Sequence, residues 1–280
     1  MKRVLGKISL SQWSSDGDTF AFRADDIKDW NGLPIKPRPS ESNPWVRVRL
    51  DACDTPELHY SYATQSTLWG RAATQFLATH FEIGDIDWSI SGNRPLNTTE
   101  ADAVLTIVGI DKFKRVIGLV HHPTNELDPK YSINIRLIEA GLAYPAIYET
   151  TPEDYATEAR NAWAIAIEDR LGFAPIDATA SFNMVSAAAD QSEFIIQPKV
   201  WRRVIHYAQN YATTEDWEAY LKGRNDLFLP VTGKIQNLRK VMIRDGETIT
   251  IAPDSINATW DVSGGLTSSQ ILAFLSTIAI

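Results

Sequence analysis

The chain has 280 residues, a formal net charge of −8 and a sequence pI near 5.2, which exclude a broad basic nucleic-acid surface and require any phosphate contact to be local. Its composition, 44% hydrophobic and 22% charged, is that of a globular protein rather than a disordered one. The single cysteine, Cys53, excludes an internal disulfide and a cysteine-based zinc site.

Alternating apolar and polar side chains predict three strands in the N-terminal part of the chain, at residues 4–10, 19–24 and 45–50. Residues 14–18 have the turn chemistry of a hairpin, which places Asp18 at the head of the second strand. Residues 25–44 are rich in proline and are predicted to form a long loop. The third strand carries Arg49 to its end.

Further elements are predicted from helical and strand periodicity: a helix at 62–81, strands at 85–90, 103–110 and 116–120, and helices at 131–141 and 153–170. A tight basic turn at 111–115 joins the last two of these strands. Strands, a helix, more strands and two helices together predict an α+β domain at residues 1–175 that contains a small barrel-like sheet.

Small and polar residues dominate 176–193, which predicts a linker before an accessory α+β domain of unknown role at 194–280. In that domain we predict helices at 198–211 and 214–222, a hairpin turn at 244–246 and a closing helix at 267–278. The basic cluster Lys199, Arg202 and Arg203 has two interpretations, a nucleic-acid contact or the solvated face of a helix, and the second is favoured.

Charges of both signs gather where the third strand ends, because Arg49 is followed closely by Asp51, Asp54 and Glu57. Such a set suits a metal ion together with a phosphate. Each piece also has a plain structural interpretation. The acidic stretch 54–57 could be a turn that starts a helix, and Arg115 could pair with a surface carboxylate. The strand parity of Asp51 favours a position away from the metal.

Several short segments resemble, in this order, the thermonuclease (staphylococcal nuclease-like) domain, over about residues 3–174. They are Asp16-Gly17-Asp18-Thr19, Arg49 followed by Asp54-Thr55-Pro56-Glu57, Asp111-Lys112-Phe113-Lys114-Arg115, Asn134, and Gly141-Leu142-Ala143. The resemblance implies an OB-type five-stranded β-barrel with three helices, to which a smaller C-terminal α+β domain is added here. It also implies hydrolysis of DNA and RNA phosphodiesters with one Ca²⁺.

The resemblance implies roles for the residues at the end of the third strand. Asp18 and Asp54 match the carboxylate ligands of the metal, and Thr55 matches the residue that offers its backbone carbonyl. Glu57 matches the residue that orients or deprotonates the attacking water. Hard oxygen ligands of this kind suit Ca²⁺ better than softer metals.

Phosphate contacts are implied for Arg49 and Arg115, which match the two arginines that grip the scissile phosphate. Lys112 matches an auxiliary phosphate contact. Phe113 stands where the family often has tyrosine, which removes a hydroxyl but keeps a ring that can stack on a base.

The sequence therefore predicts a calcium-dependent endonuclease that acts on DNA and/or RNA with weak sequence preference. Two alternatives stay open: a non-catalytic OB-type module that binds nucleic acid or protein, and a toxin or defence effector nuclease. A protein partner or self-association through the C-terminal domain is compatible with each. The sequence as given has no run of 18 apolar residues and no secretory signal, which predicts no membrane contact and a cytoplasmic location, with export by a signal-less route left open.

Overall fold

A computed structural model describes residues 1–13, 15–35, 43–96, 99–148, 150–212, 216–222, 227–229, 236–251 and 259–260. Its strands are β1 (Lys2–Ser9), β2 (Thr19–Ala24), β3 (Val46–Leu50), β4 (Ala52–Asp54), β5 (Asp87–Trp88), β6 (Pro95–Leu96), β7 (Ala101–Ile110), β8 (Val116–His121), β9 (Tyr144–Tyr148), β10 (Ser181–Asn183), β11 (Leu227–Leu229), β12 (Gln236–Asn237), β13 (Met242–Asp245), β14 (Thr248–Ile251) and β15 (Thr259–Trp260). Its α-helices are α1 (Thr67–His80), α2 (Ile133–Glu139), α3 (Glu153–Glu168), α4 (Met184–Ala187), α5 (Pro198–Asn210) and α6 (Trp217–Lys222).

Five strands close into a barrel in the order β1-β2-β3-β8-β7. Strands β1 and β2, β2 and β3, β7 and β8, and β1 and β7 pair antiparallel, whereas β3 and β8 run parallel. Helix α1 lies between β3 and β7 along the chain. The prediction of a five-stranded barrel in an α+β protein is confirmed, and this arrangement is consistent with an OB-type barrel.

The barrel is closed around a hydrophobic core to which its alternating strands contribute, and helices α1, α2 and α3 pack against it. On β2 and β3, Phe20, Phe22 and Val48 are fully buried. A second cluster of buried residues joins α5, α6 and the hairpin of β13 and β14, and its members Trp201 and Ile249 are fully buried. The hairpin predicted here is confirmed, but its turn lies at Gly246 and Glu247 rather than at 244–246, because Arg244 and Asp245 still pair with β14.

Local chemistry explains where the predicted helices begin and end. Helix α1 begins later than predicted because the Ser66 side chain accepts a hydrogen bond of 3.2 Å from the backbone N–H of Trp69, an N-terminal cap. Helix α2 ends before Gly141, whose φ of 66° is a left-handed backbone conformation that favours glycine. In the predicted loop 25–44, residues Ile27–Trp30 form a short 3₁₀ helix. The predicted strand at 85–90 is reduced to β5.

Residues 176–193 contain β10 and α4 where the sequence predicted a linker. The composition was misleading because the small and polar side chains here are packed: Thr179, Ala187 and Gln191 are all buried. Strand β10 pairs with β14 in a three-stranded sheet, so this stretch is part of the folded C-terminal structure. The division into two domains stays a prediction, and the helix predicted at 267–278 lies outside the described residues. Among the described helices, none is both long and apolar enough to cross a membrane.

Candidate functional site

The site lies at the end of the barrel where β2 begins and β3 ends. Thr19 of β2 pairs with Arg49 of β3, and the carbonyl of Asp18 accepts a 2.7 Å hydrogen bond from the N–H of Leu50, so Asp18 and Arg49 lie side by side. A Cβ at Gly17 would fall 2.5 Å from the Cβ of Ala73, so glycine allows this turn to lie against α1.

A bend in the backbone turns the chain from β3 into β4 and carries Asp54 back toward Arg49. Ala52 has a φ of 62°, an unusual conformation for a residue with a Cβ. The side-chain amide of Asn134 holds the bend, because its Nδ2 donates to the carbonyls of Asp51 (2.8 Å) and Gly118 (3.0 Å). Strand β4 then pairs with β9.

Arg49 links two of the acidic side chains. Its Nη2 lies 3.2 Å from Oδ1 of Asp54, and its Nε lies 3.9 Å from Oδ2 of Asp18. Arg49 therefore contacts the carboxylates of both Asp18 and Asp54, and the hydroxyl of Thr19 donates to Asp18 at 2.8 Å. All of these groups are largely buried, so the site concentrates like charges away from water.

The clustered carboxylates shift each other's pKa values. Burial raises the pKa of Asp18, with Arg49 opposing this and Asp54 adding to it. Burial raises the pKa of Glu57 to about 7, with Arg202 opposing and Asp54 and Asp18 adding. Asp54 differs: burial alone would raise its pKa, but the charges of Arg202 and Arg49 outweigh burial and leave the pKa below its ordinary value. The site is therefore a set of acids that needs positive charge to ionise fully.

Two members of the site were not predicted, and Asp16 is the first. Its side chain is buried, its Oδ1 has no hydrogen-bond partner, and burial with the charges of Asp18 and Glu57 raises its pKa well above the usual range. It belongs to the same turn as Asp18, so the acidic motif itself was the signal that could have identified it.

The second unpredicted member is Arg202 of α5. Its Nη2 lies 2.8 Å from Oδ2 of Asp54, and its Nη1 lies 3.2 Å from Oδ1 of Asp54 and pairs with Oε1 of Glu57. The interpretation of Arg202 as part of a solvated face is wrong, because its side chain is only 16% exposed. The signal was its spacing, three and four residues from Ile205 and Pro198, both of which are buried on α5.

Tyr148 and Lys199 extend the site toward α5. Nη1 of Arg49 lies 3.3 Å from the hydroxyl oxygen of Tyr148, and the Arg49 guanidinium carbon lies 5.5 Å from the centre of the Tyr148 ring. Nζ of Lys199 lies 5.2 Å from the same ring centre. Both distances are in the range of cation–π contacts. The ring therefore contacts both a barrel arginine and a lysine of α5.

The β7–β8 turn carries the predicted phosphate contacts Lys112 and Arg115 and the predicted stacking residue Phe113. Arg115 is held by Asp111, with its Nε 2.7 Å from Oδ2 and its backbone N–H donating to Oδ1 at 2.9 Å. Phe113 is 66% exposed, and Nζ of Lys112 lies 5.3 Å from its ring centre. The positive charge of Arg115 partly offsets the rise that burial causes in the pKa of Asp18, but the Arg115 guanidinium itself is bonded to Asp111.

The donor chemistry of the cluster fits a hard cation. Asp18 and Asp54 offer carboxylate oxygens, and Asp16 has a buried oxygen without a hydrogen-bond partner. Thr55, the residue after Asp54, is also buried. No preformed group of three or more metal-binding side chains is found among the described residues. Because Arg202 already contacts both oxygens of Asp54, this guanidinium and a metal ion would compete for the same carboxylate.

Asp51, the remaining acid of this stretch, faces elsewhere. Its Oδ1 accepts a 3.0 Å hydrogen bond from the hydroxyl of Thr151. Burial raises the pKa of Asp51 to about 6, although the backbone N–H of Ala52 and the Thr151 hydroxyl favour the charged form. Asp51 is thus a buried acid that is bonded to Thr151.

Replacing Asp51 with asparagine is expected to change how stability depends on pH. The folded-state pKa of Asp51 lies above the unfolded value, so the wild type loses stability as pH rises through about 4 to 6, and the neutral asparagine does not. The free energy of unfolding of Asp51→Asn, relative to wild type, should therefore increase by about 2–3 kcal/mol from pH 4 to pH 8. Urea unfolding at both pH values measures this. The control Asp85→Asn, at an exposed position, should show no such pH dependence. If the difference in free energy of unfolding between Asp51→Asn and wild type is the same at both pH values, burial does not raise the pKa of Asp51.

In comparisons with known proteins, no protein-family model matches the chain and no curated protein matches it. The class of site is therefore argued from these residues and their geometry.

Proposed function

We propose that the protein is a calcium-dependent phosphodiesterase, an endonuclease of the thermonuclease (staphylococcal nuclease-like) type that acts on DNA and/or RNA. The observation that carries this proposal is the convergence of Asp18, Arg49, Asp54 and Glu57, from separate chain segments, into one buried cluster at the end of the barrel. The proposal includes an OB-type barrel as catalytic domain and a C-terminal α+β domain as accessory.

Each side chain of the cluster has a task in this reaction. Asp18 and Asp54, with the backbone carbonyl of Thr55, would hold Ca²⁺, which supplies a Lewis acid at the phosphoryl oxygen. Glu57 takes the proton of the attacking water, a role that suits a carboxylate with a pKa near neutrality. Arg49 stabilises the charge that develops on the phosphate as the bond to water forms.

Residues of the β7–β8 turn extend the proposed site toward the substrate. Arg115, held by Asp111 in this turn, offers a second guanidinium to the phosphate. Lys112 adds a nearby positive charge, and the exposed ring of Phe113 can stack on a base. Single-stranded or locally opened substrate fits such a stacking contact better than an intact duplex, in which the base faces are covered.

A cleavage assay tests the proposal. Purified protein is incubated with plasmid, single-stranded DNA and RNA over a Ca²⁺ series up to several millimolar, and in EDTA. We expect cleavage that rises with Ca²⁺, is faster on single strands and is abolished by EDTA. Equal cleavage in EDTA would contradict the metal mechanism, and no cleavage at any Ca²⁺ concentration would contradict the hydrolase.

A second candidate function is favoured by one observation: Arg202 pairs with both Asp54 and Glu57, so the carboxylates already have an internal cation. A barrel whose acids are neutralised in this way could bind nucleic acid without cutting it. Binding of single-stranded DNA that persists in EDTA, with no cleavage at any Ca²⁺ concentration, would support this alternative over the enzyme.

A further inference from the structure

Helix α5 brings a guanidinium to the two acids that have the central tasks in the proposed reaction. Arg202 contacts Oδ1 and Oδ2 of Asp54 at 3.2 Å and 2.8 Å and also pairs with Glu57. Oδ1 of Asp54 also accepts a 3.2 Å hydrogen bond from Nη2 of Arg49. Both oxygens of a proposed calcium ligand are thus occupied by arginines, one from the barrel and one from the C-terminal part of the chain.

The helix that presents Arg202 is firmly packed, so the contact is built into the fold. The indole of Trp201 donates a 2.9 Å hydrogen bond to the carbonyl of Ala187, and Nε2 of Gln65 donates to the carbonyl of Ile196 at 2.6 Å. Oε1 of Gln65 accepts from the backbone N–H of Glu57 at 3.3 Å. One side chain therefore fixes the start of α5 and the loop of Glu57 together.

Two buried acids beside each other are costly without a positive charge, and Arg202 supplies it. A calcium ion on Asp54 would supply two positive charges at the same place. A guanidinium in contact with that carboxylate and a divalent cation bound to it would repel each other strongly at this short range and in a site with little water. The two cations cannot both hold Asp54 in the observed geometry.

We propose that Arg202 is the internal counter-cation of the site and sets its calcium affinity. It holds Asp54 and Glu57 when the metal is not bound, and it has to release them when Ca²⁺ binds. This inference rests on the proposed calcium site and goes beyond it, because it assigns control of metal binding to the C-terminal part of the chain.

Calcium binding by Arg202→Ala tests the inference without any measurement of activity. Isothermal titration with CaCl₂ should show an affinity at least about tenfold higher than that of wild type, because the competing cation is gone. In EDTA the variant should melt at a lower temperature than wild type, and Ca²⁺ should raise its melting temperature by more. Arg203→Ala removes the same charge one position along α5 and should change calcium affinity by less than about threefold.

The outcomes separate this inference from the proposed function. Equal calcium affinity in wild type and Arg202→Ala would overturn the role of Arg202 and leave the calcium site standing. No calcium binding by either folded protein would overturn the calcium site and with it this inference. If Arg202→Ala is unfolded in EDTA, refolding on addition of Ca²⁺, followed by circular dichroism, supports the inference. If Arg202→Ala does not refold, Arg202→Lys is the second variant. Lysine keeps the positive charge but cannot make the two-pronged guanidinium contact with Asp54, so Arg202→Lys should bind Ca²⁺ more tightly than wild type. Equal calcium affinity in wild type and Arg202→Lys would overturn the inference.

Discussion

Replacing Glu57 with glutamine is expected to lower the rate of phosphodiester cleavage by about 10²–10⁴-fold, because the amide cannot accept the proton of the attacking water. Glutamine has nearly the same shape and can still accept a hydrogen bond from Arg202, so the fold and the contact with α5 should persist. Single-turnover cleavage of a labelled single-stranded DNA, at a Ca²⁺ concentration that saturates each protein, measures the chemical step directly.

Glu139→Gln is the matched control for this change. Glu139 is a partly exposed glutamate that pairs with Arg136 at the end of α2, far along the chain from the cluster, so its replacement should change the rate by less than about twofold. Calcium titration of Glu57→Gln shows whether a loss comes from metal binding or from proton transfer. A loss of less than tenfold at saturating Ca²⁺ would show that Glu57 is not the general base.

The barrel could be predicted from the sequence because its strands carry a strong local signal. Strand β2 has the predicted bounds, and β3 alternates buried and partly buried residues in the way that its sequence indicates. The short strand β4 was missed because its three residues are too few to show a period and all of them are buried. The bend before it depends on the positive φ of Ala52, which an alanine does not reveal in a sequence.

The site was predictable to the extent that its residues are close along the chain. Arg49 and Asp54 are five residues apart, and the end of a strand brings them together. Arg202 is 148 residues from Asp54: its spacing on α5 places it on the buried face of the helix, but only the packing of α5 on the barrel determines that it meets Asp54. A basic residue on an amphipathic helix usually faces water, and only tertiary packing makes this one an exception.

Burial gives the site its chemical character in both proposals. The same removal of water that raises the pKa of Glu57 to about 7 also makes the carboxylates depend on a nearby cation. Arg49 pairs with Asp18, Arg202 pairs with Glu57, and both arginines pair with Asp54. The proposed calcium binding, the ionisation of the acids and the docking of α5 therefore all involve one buried cluster, and we expect each to respond when another is changed.

Asn134 connects this cluster to the stability of the barrel. Its side chain is fully buried, and its Nδ2 donates to the carbonyls of Asp51 and Gly118, while its Oδ1 accepts a 3.0 Å hydrogen bond from the N–H of Val120. These backbone groups lie where β3 leaves its parallel partner β8, so the strands themselves no longer satisfy them all. One amide thus replaces the missing part of the sheet's hydrogen-bond ladder.

Replacing Asn134 with alanine should lower the free energy of unfolding by about 2–5 kcal/mol, because the buried N–H of Val120 and the carbonyl of Asp51 lose this partner, each at a cost of about 1–3 kcal/mol. The carbonyl of Gly118 keeps the N–H of Asp51 as a donor. Urea unfolding followed by tryptophan fluorescence measures the loss. Asn210→Ala, at an exposed asparagine that donates to the carbonyl of His206, should cost less than about 0.5 kcal/mol. A loss below about 1 kcal/mol for Asn134→Ala would mean that water or a backbone shift satisfies these groups. In that case the bend that carries Asp54 to Arg49 would be held by the strands themselves and not by this side chain.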